Sequence, residues 1–134
     1  MGLKIKIFSP GKIKESWLKE ALHEYEKRLT GVITIEWDFV NLPSEPPFIC
    51  LDPKGEMLSS TQFSTFLYKE FEKMGSRLNF VIGASQGLPH DLLDKASSII
   101  SLSKMTFTHQ HTRLFLLEQI YRASQIEKGT LYHK

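Results

Sequence analysis

Short apolar runs alternate with longer amphipathic segments along this chain, and that alternation limits the possible folds more than any other feature. The runs of strand length are 3–7, 32–40, 48–51, 78–82 and 98–102. The segments with helical spacing of apolar residues are 13–29, 59–75, 89–96 and one that starts near His109. Strands that alternate with helices form a parallel sheet that is covered on both faces. We therefore predict an α/β fold, with a parallel sheet in an α/β/α sandwich.

Several element boundaries carry their own local signals. Ser59 followed by Gln62 fits a capping box at the start of a helix. Gly75 is placed to end that helix. Pro89 suits the first position of the short helix that follows. Residues 52–55, with sequence Asp-Pro-Lys-Gly, have the composition of a turn.

Length and composition describe an ordinary globular chain. Its 134 residues are enough for one domain with a sizeable core, so we expect a single domain over 1–134. No apolar run approaches the roughly 20 residues of a membrane helix. The single cysteine, Cys50, lies in an apolar run, where a small buried side chain is expected and a disulfide framework is excluded. These features predict a cytoplasmic protein without a membrane association.

Charge is unevenly distributed although the net value is only +2. Residues 1–31 carry seven Lys and Arg against four Asp and Glu, and residues 103–134 carry five against two. Residues 32–102 carry five against nine. Basic ends are compatible with a phosphate-bearing partner, and they are equally compatible with an ordinary solvated surface.

Three loops follow apolar strands, at 52–57, 83–88 and 103–108. Because the carboxyl ends of parallel strands meet at one edge of a sheet, these loops can line one pocket. Gly83 and Gly87 would let the backbone approach a ligand closely, although for this loop alone a tight turn is the better explanation. The lysine and hydroxyl pair of a P-loop is missing, so a polyphosphate is not the expected ligand.

Three histidines raise the question of a metal site. His109, His111 and His133 include a His-x-His pair, which occurs in zinc sites. On a helix, however, His109 and His111 would point in nearly opposite directions, and no acidic ligand is adjacent. We therefore expect no metal. A nucleophilic triad has still less support, because Cys50 lies in a strand and no nucleophile elbow is present.

The carboxyl-terminal third combines basic and aromatic residues with a very apolar helix. The basic and aromatic residues, which can hold phosphates and stack on a base, are Arg113, Arg122, Lys128, Tyr132, His133 and Lys134. A solvated helix face with a frayed end is the simpler explanation of the same residues. The run 114–117 is apolar on more than one side of the helix, which favours a subunit interface.

The segment 101–113 and the chain end carry a resemblance to a known family. The pattern L-S-x-M-T-F-x-H-Q-x-x-R, the following Glu118-Gln119-x-Tyr121-Arg122-Ala123 and the terminal Tyr132-His133-Lys134 resemble the ribosomal large-subunit methyltransferase H family. Its members are knotted, SPOUT-class enzymes that methylate a pseudouridine in ribosomal RNA. The resemblance is strong from Leu51 to Lys134 and moderate over residues 3–29.

The resemblance implies a carboxyl-terminal trefoil knot, a homodimer and S-adenosylmethionine as cofactor. It also implies a reaction at ring position 3 of a pseudouridine in large-subunit (23S) ribosomal RNA, in the free subunit or the assembled ribosome. The residues that match the family's cofactor contacts are Leu51, Gly83, Leu102, Ser103, Lys104, Met105, Thr106 and Phe107.

Other residues that match the family are expected to act in catalysis or in RNA binding. The expected catalytic residues are His133, Arg113 and Tyr132, and the expected RNA contacts are His109, Arg122 and Lys134. Methyl transfer is an in-line displacement that depends on positioning and on loss of the proton from the accepting nitrogen. His133 is the candidate base, and Arg113 or Lys134 would stabilise the anion or hold a phosphate.

One departure from the family leaves alternatives open. The family usually has an extra helix where this chain has the proline-rich residues 41–47. That helix lies outside the knot, so RNA docking is the function that its loss would affect. A non-catalytic, knotted RNA-binding or ribosome-binding module is therefore the alternative to an active enzyme. A nucleotide-binding α/β hydrolase is a third, weaker possibility.

Overall fold

The computed structural model describes residues 2–84 and 87–132 and contains a five-stranded, fully parallel sheet. The strands are β1 (Leu3–Phe8), β2 (Ile33–Asp38), β3 (Ile49–Met57), β4 (Arg77–Ile82) and β5 (Ser98–Ser101), in the order β2-β1-β4-β3-β5. The helices are α1 (Ser16–Arg28), α2 (Ser60–Met74), α3 (His90–Lys95) and α4 (His109–Lys128). The predicted parallel α/β sandwich is therefore confirmed, while the trefoil knot stays a prediction.

The two sheet faces are buried by different helical layers. Alternate strand residues such as Ile49 and Leu51 belong to a core that is shared with α1, α2 and α4. Cys50 points into a smaller core with Phe8, Phe48 and Leu92 of α3 on the opposite face. Three helices therefore cover one face and one short helix covers the other.

Local signals determine both ends of α2, as predicted. The Ser59 side chain accepts from the Gln62 backbone N–H, and the Gln62 side chain accepts from the Ser59 N–H, which completes the capping box. Gly75 follows in the left-handed region, with φ of 74°, and closes the helix. Pro89 was expected at the first helical position, but it lies one residue earlier, at the N-cap of α3.

The turn expected at 52–55 lies within β3, which continues to Met57. Leu51 and Glu56 both pair with Ile100 of β5, so the chain returns to the same strand after an irregular stretch. Gly55 makes this return possible. A side-chain carbon there would lie 2.7 Å from the backbone carbonyl carbon of Ile99. The turn-like composition of 52–55 agrees with the break in pairing between Leu51 and Glu56, where the Asp52 carboxylate accepts from the Lys54 N–H at 2.9 Å. The return to β5 at Glu56 has no local signal in the sequence.

Helix α4 is apolar on several sides because it packs in a groove between two other helices. Leu116, Leu117 and Ile120 are completely buried, and α4 contacts both α1 and α2. Neighbours within the chain thus provide burial that the sequence attributed to a subunit interface. No helix among the described residues is long and apolar enough to span a membrane.

Burial makes Cys50 an unreactive thiol. Loss of solvent raises the pKa of Cys50 to about 11, with a smaller effect from Asp52. At pH 8 about one molecule in a thousand would then carry a thiolate, the form that attacks disulfide reagents. We expect the native protein to react with an aromatic disulfide reagent at least about 100-fold more slowly than the urea-unfolded chain. Equal rates, followed by absorbance, would contradict this placement.

Candidate active site

Three predicted cofactor contacts lie at the same edge of the sheet. Two of them directly follow β4 and β5, and the third, Leu51, lies where the pairing of β3 with β4 ends. Leu51 of β3 pairs with Ile82 of β4 on one side and with Ile100 of β5 on the other. Gly83 follows β4 directly, and Leu102 follows β5 directly. The parallel topology therefore brings Leu51 and the ends of β4 and β5 together, as the sequence indicated for the loops after β4 and β5. The loop expected at 52–57 instead belongs to β3.

A cavity of about 270 Å³ opens beside the end of β5. Its walls include residues 100–102, three phenylalanines (Phe63, Phe107 and Phe115) and three polar residues (Ser60, Glu118 and Gln119). The Ser60 hydroxyl donates to the Gln119 side-chain oxygen at 2.6 Å, which ties the start of α2 to α4 at this cavity. A mostly apolar cavity with a few fixed polar groups is typical of a small-molecule site.

Leu102 and Phe107 line the cavity, and Leu102 is the less exposed of the two. Local hydrogen bonds shape this 102–108 segment. The Ser101 hydroxyl donates to the Ser103 carbonyl at 2.7 Å, and the Ser103 hydroxyl accepts from the Met105 N–H at 3.0 Å. Phe107 then packs edge-on against Phe115 of α4, with ring centres 4.9 Å apart. Lys104, Met105 and Thr106 form the exposed outer part of the segment.

The loop after β4 folds back on itself. Ala84 and Gly87 form an isolated antiparallel bridge. A side-chain carbon on Gly83 would lie 2.8 Å from the Gly87 carbonyl carbon. Glycine at position 83 is therefore explained by the turn itself, and its contact with a cofactor stays a prediction.

Arg113 is fully buried and binds the loop after β1. Its Nε donates to the Ser9 hydroxyl at 2.7 Å, and its Nη2 donates to the carbonyls of Ser9 and Gly11 at 2.8 and 2.6 Å. Burial lowers its pKa to about 10, so the guanidinium stays charged at neutral pH. The side chain lies over the ring of Phe39 at 4.9 Å. These contacts favour a role in positioning and give no support to direct contact with a substrate, the role expected from the sequence.

His109 lies at the start of α4, beside the same loop. Its pKa is lowered by partial burial first, then by the charges of Arg113 and Lys14. A Cβ added at Gly11 would lie 3.3 Å from the His109 Nε2, so the loop passes close to the imidazole. His109 is thus held among positive groups, and its predicted contact with RNA remains a prediction.

Arg122 and Tyr132 form a cluster with Glu118, which lines the cavity. The Arg122 guanidinium binds the Glu118 carboxylate through Nε at 3.1 Å and Nη2 at 2.9 Å. It also lies 5.2 Å from the centre of the Tyr132 ring, which packs edge-on against Tyr121. The beginning of the carboxyl-terminal tail therefore rests on α4 of its own chain, close to the cavity.

Two predicted site residues, His133 and Lys134, lie outside the described residues. Their assigned roles in catalysis and RNA binding stay predictions. Over residues 2–84 and 87–132, no group of three or more His, Cys, Asp or Glu side chains is arranged to hold a metal ion.

Sequence reasoning identifies little of the cavity wall, because only Leu102 and Phe107 of its lining residues are among the predicted site residues. Glu118 and Gln119 belong to the family-like pattern without a predicted role, and Ser60, Phe63 and Phe115 fall in predicted helices. Ser60 and Gln119 are 59 positions apart in the chain. Only the packing of α2 against α4 brings them together, so no local pattern could have identified this wall.

The fold and its edge cavity define a class of small α/β proteins that bind a ligand beyond the carboxyl ends of parallel strands. Residues 38–133 match the family described as "Predicted SPOUT methyltransferase". The structure resembles that of a probable methylase family protein from Haemophilus influenzae Rd KW20, with a TM-score of 0.59 over 98% of this chain and 70% of that chain. At 7% identity this likeness shows the fold alone.

Two curated relatives match over nearly their whole length. "Ribosomal RNA large subunit methyltransferase H" of Protochlamydia amoebophila (strain UWE25) is 51% identical, over 98% of this chain and 99% of the relative. The protein of the same name from Prochlorococcus marinus (strain MIT 9515) is 37% identical, over 98% and 96%. The chain therefore belongs to the ribosomal RNA large subunit methyltransferase H family of SPOUT methyltransferases.

Proposed function

We propose that this chain uses S-adenosylmethionine to methylate ring nitrogen 3 of a pseudouridine in large-subunit (23S) ribosomal RNA, in the cytoplasm and as a homodimer. The single observation that carries the proposal is the 51% identity, over almost the full length of both chains, to a relative named for methylation of that RNA. Because the chain belongs to a methyltransferase family, we propose an enzyme and not a binding module.

The cavity beside β5 has a suitable lining for the nucleoside part of the cofactor. Its volume of about 270 Å³ is slightly below the roughly 300–1,000 Å³ of typical ligand sites, so it suits part of a ligand of this size. Phe63, Phe107 and Phe115 offer flat apolar contacts for a purine. Ser60, Glu118 and Gln119 offer fixed polar groups for its edge and its sugar. Leu102 and Phe107 would hold the cofactor there, with Leu51 and Gly83 at the neighbouring strand ends.

S-adenosylmethionine supplies an electrophilic methyl group on a sulfonium. The chain must orient the accepting ring and remove the proton from its nitrogen, which has a high pKa in a uracil-type ring. We assign proton removal to His133 and contact with the ring to Tyr132. Lys134, Arg122 and His109 are assigned to phosphates of the RNA, although the contacts of Arg122 with Glu118 limit its freedom.

The direct test is transfer of labelled methyl from S-adenosylmethionine to ribosomes from cells that lack this enzyme. Mass spectrometry of the digested RNA should show one additional methyl on a pseudouridine. If calorimetry detects binding of S-adenosylmethionine but ribosomes gain no methyl, the chain is a non-catalytic ribosome-binding module and the proposal is wrong.

His133→Ala should slow single-turnover methyl transfer by about 100-fold, the lower end of what a general base contributes. Binding of S-adenosylmethionine, measured by calorimetry, should stay within about twofold, because the imidazole acts on the RNA base in this proposal. His90→Ala is the matched control, since His90 is exposed on α3 at the other sheet face. An equal loss of transfer and cofactor binding would remove His133 from proton transfer.

A further inference from the structure

Hydrogen bonds hold the backbone of the loop between β1 and α1, residues 9–15, from two sides. The Ser9 and Gly11 N–H groups donate to the carbonyls of Asp38 and Phe39, both at 2.8 Å. From the other side, Arg113 donates to the Ser9 and Gly11 carbonyls. The loop is thus fixed between the end of β2 and the start of α4.

Gln110 extends this attachment by one further residue. Its Nε2 donates to the Lys12 carbonyl at 2.9 Å, and its Oε1 accepts from the Nη1 of Arg113 at 3.0 Å. Gln110 comes two residues after the 102–108 segment, which borders the cavity. The loop and the edge of the candidate active site therefore form one connected unit.

The side chains of Lys12 and Lys14 take no part in these bonds. Both lysines are exposed, and neither has an ion pair within residues 2–84 and 87–132. Residues 9–15 contain two lysines and one glutamate, so the loop carries a net charge of +1, and Lys19 follows on α1. The ordered backbone keeps that charge at one place, which reduces the entropy lost when an anion binds.

The groups around the loop add positive charge and an aromatic surface. Arg113 is buried beneath the loop and has no carboxylate partner among residues 2–84 and 87–132, and the charges that act on His109 come from Arg113 and Lys14. Trp17, in the first turn of α1, is 47% exposed and lies against the His111 ring, with centres 5.7 Å apart. Clustered cations beside an exposed indole are the combination that holds phosphates and stacks on an unpaired base.

We infer that Lys12 and Lys14 bind the ribose-phosphate backbone of the RNA substrate, on a loop that Arg113 and Gln110 hold beside the active site. This inference rests on the proposed function, because it identifies a part of the substrate that the enzyme contacts outside the reacting base. It also explains why the arginine is buried, since its contacts position a basic loop relative to the start of α4.

The test is the double variant Lys12→Ala/Lys14→Ala, with large-subunit RNA and ribosomes as substrates. The KM for the RNA substrate should rise about tenfold, while kcat and the Kd for S-adenosylmethionine stay within about twofold. The slope of log Kd for RNA against log salt should fall by roughly 1.5, because two phosphate contacts are lost. Lys12→Arg/Lys14→Arg, which keeps the charge, should restore the slope.

Lys69→Ala/Lys95→Ala is the matched control, since both lysines are exposed, on α2 and after the first turn of α3. If the loop variant shows the same KM and salt slope as this control, the inference is wrong. It is also wrong if the loop variant becomes a monomer in sedimentation, because the surface would then join two copies of the chain. Direct binding to RNA, measured by fluorescence anisotropy, tests the inference even if no methyl transfer is found.

Discussion

Replacing Arg113 by methionine should lower the free energy of unfolding by about 2–4 kcal/mol. Methionine has a similar length but no donors, so the Ser9 carbonyl loses a buried hydrogen bond and the Gly11 carbonyl loses a partly buried one. Each acceptor left without a partner costs about 1–3 kcal/mol. The cost is partly offset, because methionine removes the buried charge, whose unfavourable burial lowers the pKa of Arg113 to about 10.

Urea denaturation with an unchanged m-value is the measurement for this prediction. Arg77→Met is the matched control, because Arg77 is exposed on β4 and its loss should change stability by about 0.5 kcal/mol or less. Arg113→Lys should fall between the two, since an ammonium cannot reach all the acceptors that the planar guanidinium bridges. Equal stability of the Met variants at positions 113 and 77 would show that the observed hydrogen bonds contribute nothing.

A folded Arg113 variant should also bind substrate differently from the wild type. If the guanidinium positions the β1–α1 loop, Arg113→Met raises the KM for RNA with less effect on kcat. If the guanidinium instead stabilises the reacting base, kcat falls and the KM changes little. The change in KM relative to the change in kcat therefore separates two roles of Arg113. Its contacts favour positioning, whereas the sequence pattern implied catalysis.

Local features of the fold were predictable because their causes are local. The ends of α2 depend on Ser59, Gln62 and Gly75, which lie within or next to the helix that they delimit. The common edge of the loops after β4 and β5 was also predictable, since parallel strands place their carboxyl ends together. The order β4-β3-β5 then places Leu51 of β3 between those two ends.

The partners of the site residues were not predictable, because they are distant in the chain. Arg113 belongs to a recognised pattern, but its contact with Ser9 spans 104 positions. An arginine on a helix is usually exposed, so the sequence favoured a phosphate or a substrate as its partner. Only the packing of the start of α4 against the β1–α1 loop shows that backbone carbonyls take that place.

Gly55→Ala should destabilise the protein by about 3 kcal/mol or more, through overlap with a strand that has no room to move. The added carbon would lie 2.7 Å from the Ile99 carbonyl carbon and 2.8 Å from the Ile100 nitrogen and carbonyl carbon. Ordinary carbon contacts need about 3.5–4.0 Å. Ile100 is paired with Leu51 as well as Glu56, so β5 cannot shift away without breaking both pairings.

The matched control is Gly2→Ala, because a side-chain carbon at Gly2 would meet nothing within 4 Å. Neither Gly55 nor Gly2 has a positive φ, so backbone strain does not distinguish the two variants. Urea midpoints that differ by less than the error would contradict the close passage of residues 52–55 over β5. Because residues 100–102 line the cavity, the remaining folded Gly55→Ala protein should also bind S-adenosylmethionine more weakly than the Gly2→Ala control. If Gly55→Ala loses both stability and cofactor affinity, the irregular return of β3 to β5 helps to determine the shape of the active site.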